Sequence, residues 1–196
     1  MIFGIISDMK LFNKPPTFIE AYDDALSPEG CRAIIKNFED SPKSKGSFYN
    51  SFGSIVADDI KKSIEIAGVN FKDNTQRSAL IFDTIHRCLA QYLEKYIHPE
   101  YVQVANEYSF QQFKGVGDGF KQWHYEHGPT DDTCKRVLVW SIYLNNAKSG
   151  TEFMYYPTVK AKEGRCVLFP ASYTHTHRSE SNKDLKYLVS GWFDIV

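Results

Sequence analysis

The second half of this 196-residue chain contains short runs of apolar residues that end at turn-forming residues. The three clearest runs are Val137–Leu144, Arg165–Phe169 and Lys186–Val196. Asn145-Asn146 follows the first run and Pro170 follows the second, and these residue types favour turns. Repeated short strands, together with an aromatic content of 15%, favour a sandwich or barrel over a parallel sheet.

The first half of the chain has the periodicity of helices. Ser27 and Pro28 suit the cap and the first position of a helix, and an apolar stripe follows at Cys31, Ile34, Ile35 and Phe38. A second helical pattern runs from about Thr75 to Ile97 and meets Pro99 as a stop. We therefore expect helical support from about residue 1 to 101 and a strand core from about 102 to 196. No linker is evident, so a single domain over 1–196 is predicted.

Charge and cysteine usage exclude several classes of protein. The formal net charge is -1 and no dense Lys/Arg run occurs, so no nucleic-acid partner is expected. Four dispersed cysteines indicate a reducing compartment rather than a disulfide scaffold. The apolar opening Met1–Ile6 breaks at Ser7-Asp8, is too short for a signal peptide, and no later stretch could span a bilayer. The expectation is a cytoplasmic protein with no membrane partner.

The segment around His124 concentrates residues that can bind a metal. On a strand, His124 and Glu126 point to the same face and could reach one ion. A third ligand could come from His175 or His177, which share a face if that segment is extended. Two imidazoles and one carboxylate form the facial triad of non-haem Fe(II) oxygenases. By itself, a His-x-Glu pair is more often an ordinary pair on a strand edge.

The last apolar run begins with a lysine. Alternation puts Lys186, Leu188, Ser190 and Trp192 on one face of a strand. A buried ammonium needs an anionic partner, although a lysine at a strand end can also extend to the surface. Beside a metal site, a dicarboxylate that chelates the ion with one end and meets Lys186 with the other becomes the better explanation.

From about Leu26 to Val196, the sequence resembles the prolyl 4-hydroxylase-like branch of the 2-oxoglutarate/Fe(II)-dependent dioxygenases. The matching pieces are Gly115–Phe120, His124-x-Glu126, Arg136–Asn145, Gly150–Phe153, Leu168–Pro170, His177 and Lys186-x-x-x-Ser190-x-Trp192. Each piece is short, but their order and spacing together are specific. The resemblance implies an α+β, mainly β fold, a double-stranded β-helix (jelly roll) with N-terminal supporting helices.

The resemblance also implies roles for particular side chains. His124, Glu126 and His177 become the iron ligands, and His177 is preferred to His175 because its interval to Lys186 fits the family pattern. Lys186 pairs with the distal carboxylate of 2-oxoglutarate, with Tyr143 and Ser190 as further hydroxyl contacts. Fe(II) is the implied metal, 2-oxoglutarate and O2 are the implied co-substrates, and ascorbate is allowed as an auxiliary reductant.

Two departures from the family pattern stand out. The usual carboxylate ligand is Asp, whereas this chain has Glu126; a retained carboxylate still favours hydroxylation over halogenation. Phe113 and Phe120 stand where the family often carries Tyr, which removes hydroxyls that could contact the co-substrate.

The function implied by the resemblance is hydroxylation of a C–H bond, with a prolyl residue of a peptide or protein as the first expectation and with release of succinate and CO2. The alternatives are a hydroxylase of a free amino acid or other small metabolite, and a non-enzymatic metal-binding jelly-roll module. Residues Lys43–Phe52 could form a lid over the site. The sequence carries no signal for an oligomeric state.

Overall fold

A computed structural model describes residues 15–50, 53–73, 75–96 and 102–195. Its helices are α1 (Pro28–Glu39) and α2 (Gln76–Lys95), with short 3₁₀ turns at Phe71–Asp73 and Tyr173–His175. The strands are β1 (Glu20–Tyr22), β2 (Ser44–Lys45), β3 (Phe48–Asn50), β4 (Gly53–Ile55), β5 (Lys61–Lys62), β6 (Ile64–Asn70), β7 (Val102–Phe113), β8 (Gly119–Phe120), β9 (Arg136–Tyr143), β10 (Gly150–Phe153), β11 (Val159–Lys160), β12 (Cys166–Pro170), β13 (His177–Ser179) and β14 (Lys186–Ile195).

Both predicted helices are present, and their ends follow from local chemistry. The Ser27 hydroxyl accepts a hydrogen bond from the Gly30 N–H at 3.1 Å, which caps α1 before Pro28. Thr75 caps α2 in the same way. The predicted stop at Pro99 lies outside the described residues. Each helix buries one apolar face, as the periodicity predicted.

A seven-stranded antiparallel sheet forms the main layer, in the order β1-β12-β9-β14-β7-β6-β2. Its outer face packs against α1 and α2 through a large apolar cluster that includes Trp140, Ile142 and Val189. Its inner face, with Val139 and Tyr143, packs in a second cluster with side chains of a three-stranded sheet, β11-β10-β13. Two facing sheets with helices behind one of them confirm the predicted α+β, mainly β jelly roll.

Residues 1–101, where helical support was expected, contribute strands as well as the two helices. β1 pairs with β12, and β6 pairs with β7, so strands from the first half extend the main sheet on both sides. β6 escaped prediction because its register shifts between Ile66 and Val69, around Gly68 with φ +66°. A bulge of this kind interrupts the apolar alternation by which a strand is recognised. Of the predicted lid Lys43–Phe52, parts form β2 and β3, while residues 51 and 52 lie outside the described residues.

Two further findings concern the cysteines and the helices. All four cysteines are free thiols, and three of them, Cys31, Cys88 and Cys166, are buried. This agrees with the prediction that the chain is not a disulfide scaffold. In the part of the chain that the structure describes, no helix has the length and apolar character needed to cross a bilayer. The apolar opening Met1–Ile6 lies outside the described residues.

Candidate active site

Backbone pairing brings two histidines that are distant in sequence side by side. The His124 N–H donates to the His177 carbonyl at 3.0 Å, and the His177 N–H donates to the His124 carbonyl at 2.9 Å. The Glu126 N–H donates to the Ala171 carbonyl at 3.0 Å, which fixes the third residue to the loop before His177. The short segment that carries His124 and Glu126 is thus held against the start of β13.

Hydrogen bonds also fix the orientation of both imidazoles. His124 Nδ1 lies 2.9 Å from the Gln122 carbonyl, and His177 Nδ1 lies 3.0 Å from the His175 carbonyl. Because a carbonyl only accepts, each Nδ1 carries a proton and each Nε2 presents a lone pair. The two Nε2 atoms lie 3.4 Å and 3.8 Å from Glu126 Oε1. One donor atom from each of the three residues lies within 4.8 Å of the others.

The electrostatics of this cluster suit a cation. Burial lowers the pKa of His177 to about 4, so its imidazole is neutral near pH 7. Burial favours a higher pKa for Glu126, but the neighbouring side chains of His124, His177 and Arg136 prevail and lower it to about 2. An anionic carboxylate and imidazole lone pairs therefore converge. Ligands about 2.1 Å from an ion and at right angles are about 3 Å apart, so the observed separations fit a metal after a small contraction.

Aromatic side chains enclose the two histidines. The ring of Phe120 stacks on His124 with centroids 3.9 Å apart and an interplanar angle of 18°. Phe169 and Phe153 flank His177, with centroid distances of 4.8 Å and 5.9 Å. These rings restrict rotation of the imidazoles and exclude water from the ring faces and edges that they cover. Phe120 thus contributes a flat apolar surface where the family pattern has a phenol.

Lys186 begins β14 and is buried, with 1% of its surface exposed. Its Nζ lies 4.8 Å from the ring centroid of Phe113, a cation–π distance. Burial lowers the pKa of Lys186 to about 8, although Glu180 and Asp184 act in the opposite direction. Among the residues that the structure describes, no carboxylate lies within ion-pair distance of this ammonium. The alternative in which Lys186 extends to the surface is therefore wrong.

Tyr143 and Ser190 lie on the inner face of the main sheet, as the strand alternation indicates. Tyr143 pairs with Leu188 across β9 and β14, and its hydroxyl lies 2.7 Å from Thr151 Oγ1. Burial raises the pKa of Tyr143 to about 12, so the phenol is neutral. Ser190 Oγ accepts a hydrogen bond from Gln111 Nε2 at 3.2 Å. Sequence reasoning assigned no role to Thr151 or Gln111, although alternation along β7 puts Gln111 on the same face as Phe113.

The other histidines that the structure describes are not part of the cluster. His175 ends a 3₁₀ turn, so the extended segment that would have put it on the face of His177 does not exist. Its Nε2 lies 2.8 Å from the Thr17 carbonyl, and its ring stacks on Tyr156. His127 Nδ1 lies 3.2 Å from a backbone carbonyl. His86 lies on α2, and His98 lies outside the described residues.

A further pair of side chains next to the cluster was missed by sequence reasoning. Arg136 NH1 lies 3.4 Å from Glu126 Oε2, and the guanidinium carbon lies 3.5 Å from the ring centroid of Trp192. In the sequence, Arg136 begins one stretch that matches the family pattern and Trp192 ends another, but neither residue is assigned a role there. Their proximity depends on the register between β9 and β14, which a single sequence does not specify.

Residues 108–194 match the family model described as the 2OG-Fe(II) oxygenase superfamily. This stretch includes the three candidate metal ligands, His124, Glu126 and His177, as well as Tyr143, Lys186 and Ser190. No curated protein sequence is significantly similar to the chain.

Solved structures of prolyl hydroxylases share the fold at low sequence identity. The viral collagen prolyl hydroxylase of Paramecium bursaria Chlorella virus-1, in complex with 2-oxoglutarate, is 18% identical; the alignment has a TM-score of 0.64 and covers 91% of this chain and 97% of that chain. A prolyl hydroxylase from Trichoplax adhaerens, in complex with a peptide of hypoxia inducible factor, is 13% identical, with a TM-score of 0.69 and coverage of 91% and 84%. A Pseudomonas putida prolyl-4-hydroxylase is 12% identical, with a TM-score of 0.67 and coverage of 92% and 94%.

At such identities, the structural matches establish the fold alone. They show that the two facing sheets form the double-stranded β-helix expected from the sequence. The family match adds the chemistry, because 2OG-Fe(II) oxygenases use Fe(II), 2-oxoglutarate and O2. Together, these findings show that residues 108–194 resemble the 2OG-Fe(II) oxygenase superfamily and that the chain shares the fold of solved prolyl hydroxylases.

Proposed function

We propose that the chain hydroxylates a C–H bond of a prolyl residue in a peptide or protein, with Fe(II) bound by His124, Glu126 and His177. The observation that carries this proposal is the convergence of these three side chains in a fold that also buries the ammonium of Lys186, which has no ion-pair partner among the described residues. The metal, together with 2-oxoglutarate and O2, supplies the oxidising chemistry, which releases succinate and CO2. The protein supplies orientation, charge and exclusion of water.

In this proposal, Lys186 binds the carboxylate of 2-oxoglutarate that is distal to the metal. The ammonium is buried, lies over the ring of Phe113 and has no ion-pair partner among the described residues, so an incoming carboxylate would supply one. A non-enzymatic metal-binding module has no use for a buried cation of this kind. Lys186 is thus the side chain that most favours an oxygenase over such a module.

Tyr143 and Ser190 support the same carboxylate in this proposal. The Tyr143 phenol stays protonated because burial raises its pKa to about 12, so it can donate a hydrogen bond. Ser190 accepts from Gln111, which leaves its own hydroxyl proton free for a further acceptor. Two neutral donors on the sheet face that carries Lys186 suit a carboxylate better than a neutral ligand.

Exposed aromatic side chains on the segments that carry or adjoin the cluster favour a peptide substrate over a free amino acid. Tyr125, which lies between His124 and Glu126, is 52% exposed. Tyr173, four residues before His177, is 71% exposed, and Tyr155, which follows β10, is 66% exposed. The Met154 N–H donates to the Thr176 carbonyl, which holds the loops of Tyr155 and Tyr173 together. Exposed aromatic rings are the usual contacts for proline-containing extended peptides.

The test is succinate production measured with panels of proline-containing peptides and of free amino acids. We expect peptide-dependent succinate from the wild-type protein and none from His177→Ala. His175→Ala is the matched control, since His175 lies outside the cluster, and it should keep both Fe(II) binding and turnover. Turnover of free amino acids alone would contradict the peptide assignment. Metal binding without succinate from any substrate would favour a metal-binding module.

A further inference from the structure

The two oxygens of Glu126 have different neighbours. Oε1 faces the Nε2 atoms of His124 and His177 at 3.4 Å and 3.8 Å, whereas Oε2 faces Arg136 NH1 at 3.4 Å. The side chains of Glu126 and Arg136 each have 19% of their surface exposed, so this contact is well shielded from bulk solvent. A glutamate has one more rotatable bond than an aspartate and can turn either oxygen, or both, toward an ion. The neighbours of Glu126 therefore determine whether one oxygen or both oxygens can reach the ion.

Arg136 is itself held in place. Its guanidinium lies over the Trp192 ring at 3.5 Å from the centroid, a stacking geometry that is favourable for a planar cation. Arg136 opens β9 opposite Asp194 of β14, so the backbone of two central strands sets its position. Trp192 belongs to the inner-face apolar cluster with Val139. The cation that contacts Glu126 Oε2 is thus held in place by the main sheet.

We infer that Arg136, supported by Trp192, is a positioning residue that keeps Glu126 bound to the metal through Oε1 alone. The inference rests on the proposed metal site. A carboxylate that binds through both oxygens occupies one more coordination position than a carboxylate that binds through one. Three single-point protein ligands, a chelating 2-oxo acid and O2 together fill an octahedral ion, so a second oxygen from Glu126 would compete with a co-substrate. The Arg136 guanidinium pairs with Oε2 and keeps this oxygen from the ion, which prevents the competition.

The experiment compares wild type with Arg136→Met, and Lys135→Met serves as the matched control because it removes an exposed neighbouring cation. Fe(II) binding and then 2-oxoglutarate binding are measured anaerobically, the second by the charge-transfer absorption band of the ternary complex. We expect Arg136→Met to retain Fe(II) but to raise the Kd for 2-oxoglutarate about tenfold or more. Lys135→Met should match wild type within about twofold. Crystals loaded with Fe(II) should have Glu126 bound through one oxygen in wild type and through both in Arg136→Met.

Two milder variants cover the case in which Arg136→Met does not fold. Trp192→Phe keeps an aromatic ring but weakens the stacking, and Arg136→Lys keeps the charge without the planar fork. Each should raise the Kd for 2-oxoglutarate by an intermediate factor. Unchanged affinity in these variants, or a wild-type Glu126 that binds through both oxygens beside Arg136, would overturn the inference and leave the proposed function standing. A wild-type protein without Fe(II) binding or a charge-transfer band would overturn both.

Discussion

Replacing Lys186 with methionine should stabilise the protein in the absence of ligands and weaken its binding of 2-oxoglutarate. Lys186 is 1% exposed, and burial lowers its pKa to about 8 from the ordinary value of 10.5. A pKa difference of about 2.5 corresponds to about 3 kcal/mol of free energy. The buried ammonium therefore destabilises the ligand-free fold by about this amount, which is a large fraction of the stability of a typical domain.

The pH dependence of stability has a definite sign. In the unfolded chain, Lys186 keeps its proton up to about pH 10.5, whereas in the folded protein it loses the proton above about pH 8. Between these values, the unfolded state holds more protons, so the free energy of unfolding contributed by Lys186 rises with pH. The destabilisation is fully present below pH 8 and absent above pH 10.5. A methionine has no such dependence.

Urea unfolding of the protein without metal or co-substrate, followed at pH 7 and at pH 10, measures this effect. The free energy of unfolding of Lys186→Met should exceed that of wild type by about 2.5 kcal/mol more at pH 7 than at pH 10, because about 1 kcal/mol of the destabilisation remains at pH 10. Lys183→Met, at an exposed neighbouring position, should show no comparable change. A stability difference between Lys186→Met and wild type that is equal at both pH values would refute the reasoning.

Binding of 2-oxoglutarate should be strongest at the pH values at which protonated Lys186 destabilises the ligand-free protein. The affinity of wild type for 2-oxoglutarate should be constant below about pH 8 and fall by up to about tenfold per pH unit above it. Lys186→Met should bind more weakly at pH 7 and lack this dependence, because no ammonium remains to titrate. An equal pH dependence in both proteins would show that another group governs binding.

Three further predictions concern single side chains. Gly191→Ala should lower the free energy of unfolding by about 1–3 kcal/mol in urea titrations, because an added Cβ would lie 2.5 Å from the Trp140 ring; unchanged stability would contradict the packing. Tyr143→Phe should raise the Kd for 2-oxoglutarate by about three- to tenfold in anaerobic titrations without changing Fe(II) affinity, and an unchanged Kd would remove Tyr143 from the co-substrate site. His175→Ala should lose about 1–2 kcal/mol of stability, since its ring bonds the Thr17 carbonyl, but should bind Fe(II) with wild-type stoichiometry; loss of iron would contradict its distance from the cluster.

Strand alternation was sufficient to predict most of the inner face. It put Lys186, Leu188, Ser190 and Trp192 on one side of β14, and the pairing of this strand with β7 and β9 agrees. The His-x-Glu spacing likewise predicted that His124 and Glu126 approach one point. These predictions succeeded because they depend on local backbone geometry, in which side chains repeat every second residue.

What the sequence did not predict depends on the register between distant segments or on local distortions. The contact of Arg136 with Trp192 and Glu126 requires β9, β14 and the His124 segment to be placed together. β6 was missed because a bulge at Gly68 interrupts its pattern. His175 was left as an alternative ligand because its 3₁₀ turn gives no clear sequence signal.

The most direct test of the central claim is an absorption spectrum recorded anaerobically after Fe(II) and 2-oxoglutarate are added to the protein. The account predicts a charge-transfer band for wild type, which is lost in His177→Ala and appears in Lys186→Met only at higher 2-oxoglutarate concentrations. A wild-type protein that gives no band, or a band unchanged by both substitutions, would contradict the claim that these side chains hold the metal and its co-substrate.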